Sequence, residues 1–420
     1  MVAASVAGTI ALTGNHHSSS GSATQTPAAP PPVRNAAWVA DGAQDASTLS
    51  ALTGFWIGPD VVVRGGIDGL HAMKRSDGTA AWDLPTPGGG DVCGMSPGID
   101  GGVGIVAAQG TAATLKGSSA SCSVISGIDV ASGKVLWTTQ LSGPFGDPAA
   151  GAADYAALAG MAVVDSDQSG AQVGIVALDL KTGVEKWKHQ GDCTHLPHSF
   201  AAAGGRVAIA EVCQNQPQAT VRVLDAATGA AVADAAVPKL PGQPRPFIVT
   251  ADPVVVADDG DHAKALAFGA GAPVAVSGLD GLFDAPGKQQ ESRAQVSVGG
   301  GVLCASEPTP VCWGTAGQPL VPRGLPNAGA AHQDAYPVVG AADAARLVTV
   351  GVATHPRASL CRVAPDGKVV VEADLSQPVS DYLGQNGIAA PYAVYADAKD
   401  LFVVDPHPNG RAAVIDVRLG

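Results

Sequence analysis

A glycine followed four residues later by tryptophan recurs three times in this chain. Gly78 leads to Trp82, Gly133 to Trp137 and Gly183 to Trp187. In the clearest copy, Val173 to Leu180 is apolar and rich in β-formers. Lys181-Thr182-Gly183 is turn chemistry, with glycine free to take positive φ, and Val184 to Trp187 starts a second strand. One hairpin cannot bury Trp187, so the unit requires neighbours of its own kind.

The rest of the chain supplies them. The turn at Gly229 keeps the pattern with Ala233 in place of tryptophan, and weaker copies place their glycine at Gly271, Gly317 and Gly367. The last residues, Val414 to Gly420, repeat the first half of the unit, and successive turn glycines lie 42 to 55 residues apart. An apolar strand precedes each turn: Val61-Val62-Val63, Gly104-Ile105-Val106, Ala162-Val163-Val164, Val207-Ala208-Ile209, Val254-Val255-Val256, Gly301-Val302-Leu303, Leu347-Val348-Thr349 and Phe402-Val403-Val404. Such a period, with several short strands in each repeat, predicts an all-β, eight-bladed β-propeller of four-stranded antiparallel blades. The eighth turn has no outer strand after it. Val33 to Trp38 carries the right aromatic, and we expect it to complete the last blade beside Ala413 to Val417, closing the ring and removing an exposed edge.

Composition agrees with many short strands. Gly (54) and Pro (31) are abundant and charged residues are 15%, fewer than long amphipathic surface helices need. The net charge of −13 argues against nucleic acid as a partner. None of the seven cysteines forms a CxxC, which removes support for zinc-ribbon and covalent-haem readings; their near-paired distribution predicts disulfides and an oxidising compartment.

Val2 to Leu12 is apolar but shorter than the roughly 20 residues a membrane span needs, and no Lys or Arg precedes it. Residues 13–35 then read as Ser/Thr/Pro-rich spacer. We therefore divide the chain into a signal-anchor remnant at 1–14, a linker at 15–32 and a propeller at 33–420. The expectation is an extracytoplasmic protein, secreted or tethered to the cell membrane through its N-terminal segment, with the true start upstream of Met1.

The pattern A-x-D-x-x-T-G-x-x-x-W resembles the tryptophan-docking motif of pyrroloquinoline-quinone (PQQ) type propellers. Ala177, Asp179, Thr182, Gly183 and Trp187 match it throughout. Gly127 to Trp137, with Asp129, matches except for Gly127 and Ser132; residues 72–82 and 223–233 are partial copies. The resemblance implies that Trp38, Trp82, Trp137 and Trp187 pack between adjacent blades against turns such as those of Gly78, Gly133 and Gly183. Two branches of the superfamily are relevant: quinoprotein dehydrogenases, which bind PQQ and a metal on the axis, and BamB-like scaffolds. The chain lacks the adjacent Cys-Cys pair and haem motif that some dehydrogenases carry, and it shows no lipobox cysteine near its start.

On the blade threading, Cys93 falls in a blade link, Cys122 near the start of a third strand, and Cys304 and Cys312 astride one hairpin. Of the fifteen connectivities open to six cysteines, local pairing is simplest: Cys93–Cys122, Cys193–Cys213 and Cys304–Cys312. Cys361 is left over and reads as a buried free thiol. The face that carries the blade links gathers His195, His198, His262, His332, His355 and His407, with Asp165, Asp167, Asp258, Asp259, Asp261 and Asp405. Of these, His195, His198, Asp258, Asp259, Asp261 and His262 are the weak metal candidates. No fixed ligand spacing supports them, and a solvated rim is the favoured reading. Gly94-Met95-Ser96-Pro97-Gly98 has the letters of a nucleophile elbow, but Pro97 lacks the N–H that an oxyanion hole would use, so it reads as a turn.

No catalytic residue is singled out. The function expected is non-catalytic binding or scaffolding, by a monomer, of protein or cell-envelope ligands on the link face, without a cofactor. The alternatives are a PQQ-dependent oxidoreductase with a divalent cation such as Ca²⁺, and the sensory ectodomain of an envelope signalling system.

Overall fold

The computed structural model describes residues 30–41, 52–110, 122–141, 155–166, 174–190, 193–213, 219–236, 246–252, 254–258, 265–268, 274–276, 296–305, 311–314, 319–320, 322–326, 332–340, 343–352, 356–385, 393–406 and 412–420. The described chain opens with β1 (Val33–Arg34) and β2 (Ala36–Asp41). Six four-stranded antiparallel sheets follow in sequence. The first holds β3 (Gly54–Ile57), β4 (Val61–Gly66), β5 (Gly69–Lys74) and β6 (Ala80–Pro85); the second holds β7 (Val92–Met95), β8 (Val103–Gln109), β9 (Cys122–Asp129) and β10 (Lys134–Gln140). The third holds β11 (Tyr155–Leu158), β12 (Met161–Ser166), β13 (Gly174–Asp179) and β14 (Glu185–Gln190); the fourth holds β15 (Cys193–Ala203), β16 (Arg206–Cys213), β17 (Ala219–Asp225) and β18 (Ala231–Ala236). The fifth holds β19 (Pro246–Ala251), β20 (Val254–Asp258), β21 (Ala265–Phe268) and β22 (Val274–Val276); the sixth holds β23 (Val296–Gly299), β24 (Val302–Ala305), β25 (Val311–Gly314) and β26 (Pro319–Leu320).

Two further runs share one nine-stranded sheet. The seventh run is β27 (His332–Val339), β28 (Ala345–Val352), β29 (Arg357–Val363) and β30 (Val369–Leu375). After helix α1 (Gln377–Gln385) come β31 (Ala393–Ala396), β32 (Asp400–Val404) and β33 (Ala412–Arg418). β27 and β31 pair in parallel, which joins the runs at their first strands. The arrangement is all-β and of propeller type.

Each apolar triplet read from the sequence falls in the second strand of its run, or at its start. These strands are covered on both faces, so β4 and β32 are buried at every position. A continuous apolar run, rather than alternation, is what such a strand needs. Fourth strands are the outer ones, and exposed positions return there, as in β6.

Four local features depart from the sequence reading. Val33 to Trp38 is not one strand. Val33 and Arg34 lie parallel to β30, and the strand beside β33 is Ala36–Asp41, with Trp38 opposite Asp416. The chain thus touches the outer edges of two successive runs, which one uninterrupted strand cannot reach. Cys93 lies within β7, not in a link, and the backbones of His195 and His198 lie within the long β15. A helix, α1, was not expected. Val379 and Leu383, one turn apart, bury its inner face, and the Ser380 hydroxyl accepts the Ala358 N–H at 3.0 Å and donates to the Leu375 carbonyl at 3.2 Å. Gly271 and Gly317 lie outside the described residues.

Candidate functional site

The repeat motif is a fastening. In its best copy the Asp179 carboxylate accepts the Lys181 N–H at 3.1 Å, the Thr182 N–H at 3.0 Å and the Thr182 hydroxyl at 2.9 Å. Asp225 with Thr228, and Asp129 with Ser132, repeat the arrangement. These are side-chain-to-backbone turns of the Asx kind, and the Thr182 hydroxyl, chief among the donors, holds the Asp179 carboxyl below the usual carboxylate range. Gly183 follows with φ +70°, where any side chain would be strained.

The glycine also makes room for an indole from the preceding run. Trp38 lies on Gly78, Trp82 on Gly133, Trp137 on Gly183 and Trp187 on Gly229, so closely that a Cβ on the glycine would sit 2.5–2.7 Å from the ring. Three of these indoles donate to the carbonyl three residues before the glycine: Trp38 to Arg75 at 2.9 Å, Trp137 to Leu180 at 2.8 Å and Trp187 to Ala226 at 3.0 Å. The indole N–H of Trp82 has no hydrogen-bond partner among the described residues. Sequence reasoning passed over Trp56, which packs on Gly104 and donates to the Ser96 carbonyl at 2.9 Å. Gly104, set in the apolar stretch 103–108 of β8, is the signal that marks it. Ser96 itself is buried, donating to the Gly98 carbonyl at 2.6 Å and accepting from the Ile105 N–H at 3.1 Å, so it fastens a turn.

A cleft of about 520 Å³ opens among the turns of the first and last runs, with Ala131 of the second sheet at its edge. Lys74, Arg75, Lys399 and Arg418 line it with Asp60, Asp400 and the half-buried Trp82. The Arg75 guanidinium is buried. It reaches Asp397 at 2.8 Å, Asp400 through Nε at 3.1 Å and again through Nη2, and the Gly58 carbonyl at 2.9 Å, and it lies over the Phe402 ring. Arg418 approaches Asp400 at 3.3 Å and Asp416 at 3.1 Å and donates to the Arg75 carbonyl at 2.6 Å. Asp416 is fully buried, and burial, reinforced by Asp400, pushes its carboxyl up to about 6. None of these charged residues was singled out from the sequence, because the carboxylates that hold Arg75 are remote along the chain, that of Asp400 by 325 residues.

The link face looks different. Asp165 and Asp405 are buried, which corrects their assignment to a solvated rim; the Asp405 carboxylate accepts the Tyr382 hydroxyl of α1 at 3.2 Å. Asp167, Asp259, Asp261, His262, His355 and His407 lie outside the described residues, as do the side chains of His195, His198, Asp258 and His332. Among the described residues no three His, Cys, Asp or Glu side chains come together as a metal-holding group. A second cluster that the sequence did not reveal joins the third and fourth sheets. Buried Glu211 lies 3.6 Å from both His189 and Arg222, and Arg222 reaches Asp234 at 3.0 Å.

Cys93 is bonded to Cys122 and Cys304 to Cys312. Cys193 and Cys213 are direct cross-strand neighbours in β15 and β16, with side chains outside the described set. Cys361 is a buried free thiol, and burial raises it to about 12.

Residues 70–261 match the family model described as outer membrane protein assembly factor BamB. Among solved structures, BamB from Moraxella catarrhalis is 12% identical, with 87% of this chain and 95% of that chain covered and a TM-score of 0.49. The quinohemoprotein alcohol dehydrogenase ADHIIG from Pseudomonas putida HK5 is 10% identical over 91% of this chain and 75% of that one, at a TM-score of 0.44. The Pan2 WD40 domain of Neurospora crassa is 12% identical over 63% and 75%, at 0.40. No curated protein sequence matches the chain.

Proposed function

From a chain whose residues 70–261 carry the repeats of the PQQ-like β-propeller superfamily, we propose a non-catalytic propeller that binds or scaffolds a protein or cell-envelope ligand outside the cytoplasm. The observation that carries this reading is the match of those residues to the family of an outer membrane protein assembly factor. The motif chemistry points the same way. Asp179, Thr182 and Trp187, the polar members of the best repeat, are engaged in closing a turn and docking a neighbour. The Cys93–Cys122 and Cys304–Cys312 disulfides fit an oxidising compartment.

In this reading the eight runs are eight blades of one ring, and β2 completes the last blade. Residues 1–14 are the remnant of a membrane anchor and 15–32 its linker, and the folded part works as a monomer. A ring of this kind offers a broad, rigid surface whose loops engage the partner. Affinity capture from detergent-solubilised cell envelope, with the full chain as bait, tests the proposal. A partner enriched in fixed ratio, and lost on competition with untagged protein, is the expected result. Adding PQQ with Ca²⁺ tests the rival oxidoreductase. Stoichiometric cofactor absorbance together with dye reduction overturns the scaffold reading.

A further inference from the structure

The first and last runs meet through an ion pair at a position where other interfaces between neighbouring runs are apolar. Backbone hydrogen bonds define the equivalent positions. Gly58 N–H to Val61, Asp100 to Val103 and Asp397 to Asp400 are the same turn bond between first and second strands. Val61, Val103 and Asp400 are therefore equivalent. Likewise Arg75, Val130, Leu180, Ala226 and Leu419 each donate their N–H to the first turn of their own run, at Asp60, Gly102, Gly160, Gly205 and Lys399. Between the first and second sheets, Val61 and Val130 share one apolar cluster; between the second and third, Val103 and Leu180 share another. Between the last run and the first, the same two positions hold Asp400 and Arg75, both buried and bonded to each other.

We propose that the Arg75–Asp400 pair is a registry key: it assigns the last run, and no other, as the neighbour of the first. The proposal rests on the reading of the runs as one closed ring. The need for a key follows from the repeats. Trp38, Trp82, Trp137 and Trp187 dock on their glycines with nearly the same geometry, so indole docking alone does not distinguish one neighbour from another. An arginine does. Against Val61 a buried guanidinium would lose Asp400 and find Gly58 in the place of Asp397, and against Val103 it would meet only Asp100, already engaged by the Gly160 N–H at 2.6 Å, whereas the last run presents both Asp400 and Asp397. Asp400 in turn would keep only Arg418 of its own run, at 3.3 Å, and lose the Arg75 guanidinium against Val130 or Leu180. Each member of the pair rejects the interior interfaces and accepts the other, which is specificity through mismatch cost.

The test compares Arg75→Leu, Asp400→Val and the double variant, with disulfides left intact, in thermal unfolding and in refolding from urea. Each single variant should be destabilised, because Arg75→Leu leaves buried Asp400 with only Arg418 and Asp400→Val leaves buried Arg75 with only Asp397. The double variant rebuilds the apolar pair of the interior interfaces, so it should melt at or above the wild-type temperature. Its yield of native protein on refolding should nevertheless fall several-fold, with the loss recovered as misassembled species on size-exclusion chromatography. Arg75→Lys, which keeps the charge, should refold with nearly wild-type yield. Wild-type refolding yield in the double variant, with the singles destabilised, overturns the key while leaving ring closure intact. Single variants as stable as the wild type overturn the closure contact itself. Neither outcome bears on partner capture, so the scaffold reading is judged separately.

Discussion

Trp137 lies against Gly183 so closely that a Cβ on the glycine would stand 2.7 Å from the indole, while the ring N–H donates to the Leu180 carbonyl at 2.8 Å. The two residues belong to successive sheets, so one contact carries both apolar burial and a satisfied donor across the interface. Trp137→Ala should cost about 3–5 kcal/mol, as large core truncations do. Gly183→Ala carries a backbone cost of about 1–2 kcal/mol for the left-handed conformation. It carries about 1–3 kcal/mol more for overpacking against the ring. The two should be non-additive: with Trp137 already removed, only the backbone part remains. Urea unfolding of the two single variants and the double variant measures this, and strict additivity would show that the ring and the glycine are not in contact.

Asp416 should give stability an unusual pH dependence. Burial and Asp400 raise its folded carboxyl to about 6, above the value near 4 of an unfolded aspartate. The folded state then binds the proton more tightly than the unfolded one. The stabilisation is fully present below about pH 4 and is lost as pH rises through about 6. The difference is at most roughly 3 kcal/mol. Asp179 and Asp225, held low by the hydroxyls of Thr182 and Thr228, act in the opposite sense and lose their contribution only at more acid pH. Comparing urea midpoints of wild type and Asp416→Asn across this interval isolates the effect. The wild type should lose more stability than the variant as pH rises, and parallel profiles would refute the assignment.

The Cys93–Cys122 bridge spans 29 residues and ties the first strand of the second sheet to the third, past β8. Its removal by a Cys93→Ser, Cys122→Ser double substitution should lower stability by about 2–4 kcal/mol. The Cys304–Cys312 bridge closes only an eight-residue separation within one hairpin, so its loss should cost less. Calorimetric melting of the two variants gives the ranking, and the reverse order would argue against a loop-entropy origin.

Cys361 should be silent in the native protein. It is fully buried, and burial raises its thiol to about 12, so almost no thiolate exists at neutral pH. Maleimide labelling followed by peptide mass spectrometry should modify Cys361 only after denaturation. Rapid native labelling at this residue would mean that β29 opens.

Residues 33–41 bind two edges, pairing in parallel with β30 and antiparallel with β33, and they bring Trp38 onto Gly78. Deleting them exposes both edges and removes a docked indole, so the melting temperature should drop sharply and aggregation on heating should rise. An unchanged melting curve would remove this segment from the fold.

Strand, turn and strand, and their period, were legible in the sequence because these are local; the docking of Trp82 and Trp137 on the next turn's glycine followed only from the family resemblance, and that of Trp56 on Gly104 was not read at all. Turn chemistry over Asp179 to Gly183 decides the hairpin within a few residues, and a docked tryptophan must sit at a constant distance from its turn. The apolar triplets marked the second strands for a similar reason, since a strand covered on both faces is apolar along most of its length and admits a charge such as Asp400 or Glu211 only with partners. Tertiary structure alone decided the rest. Arg75 and Asp400 stand 325 residues apart, and nothing near either one announces its partner. The same holds for Glu211, whose neighbours His189 and Arg222 arrive from other strands, and for Val33 and Arg34, whose parallel pairing with β30 depends on where the ends of the chain meet. Local pattern specifies the unit, while buried charge is interpretable only when the contact that neutralises it has formed.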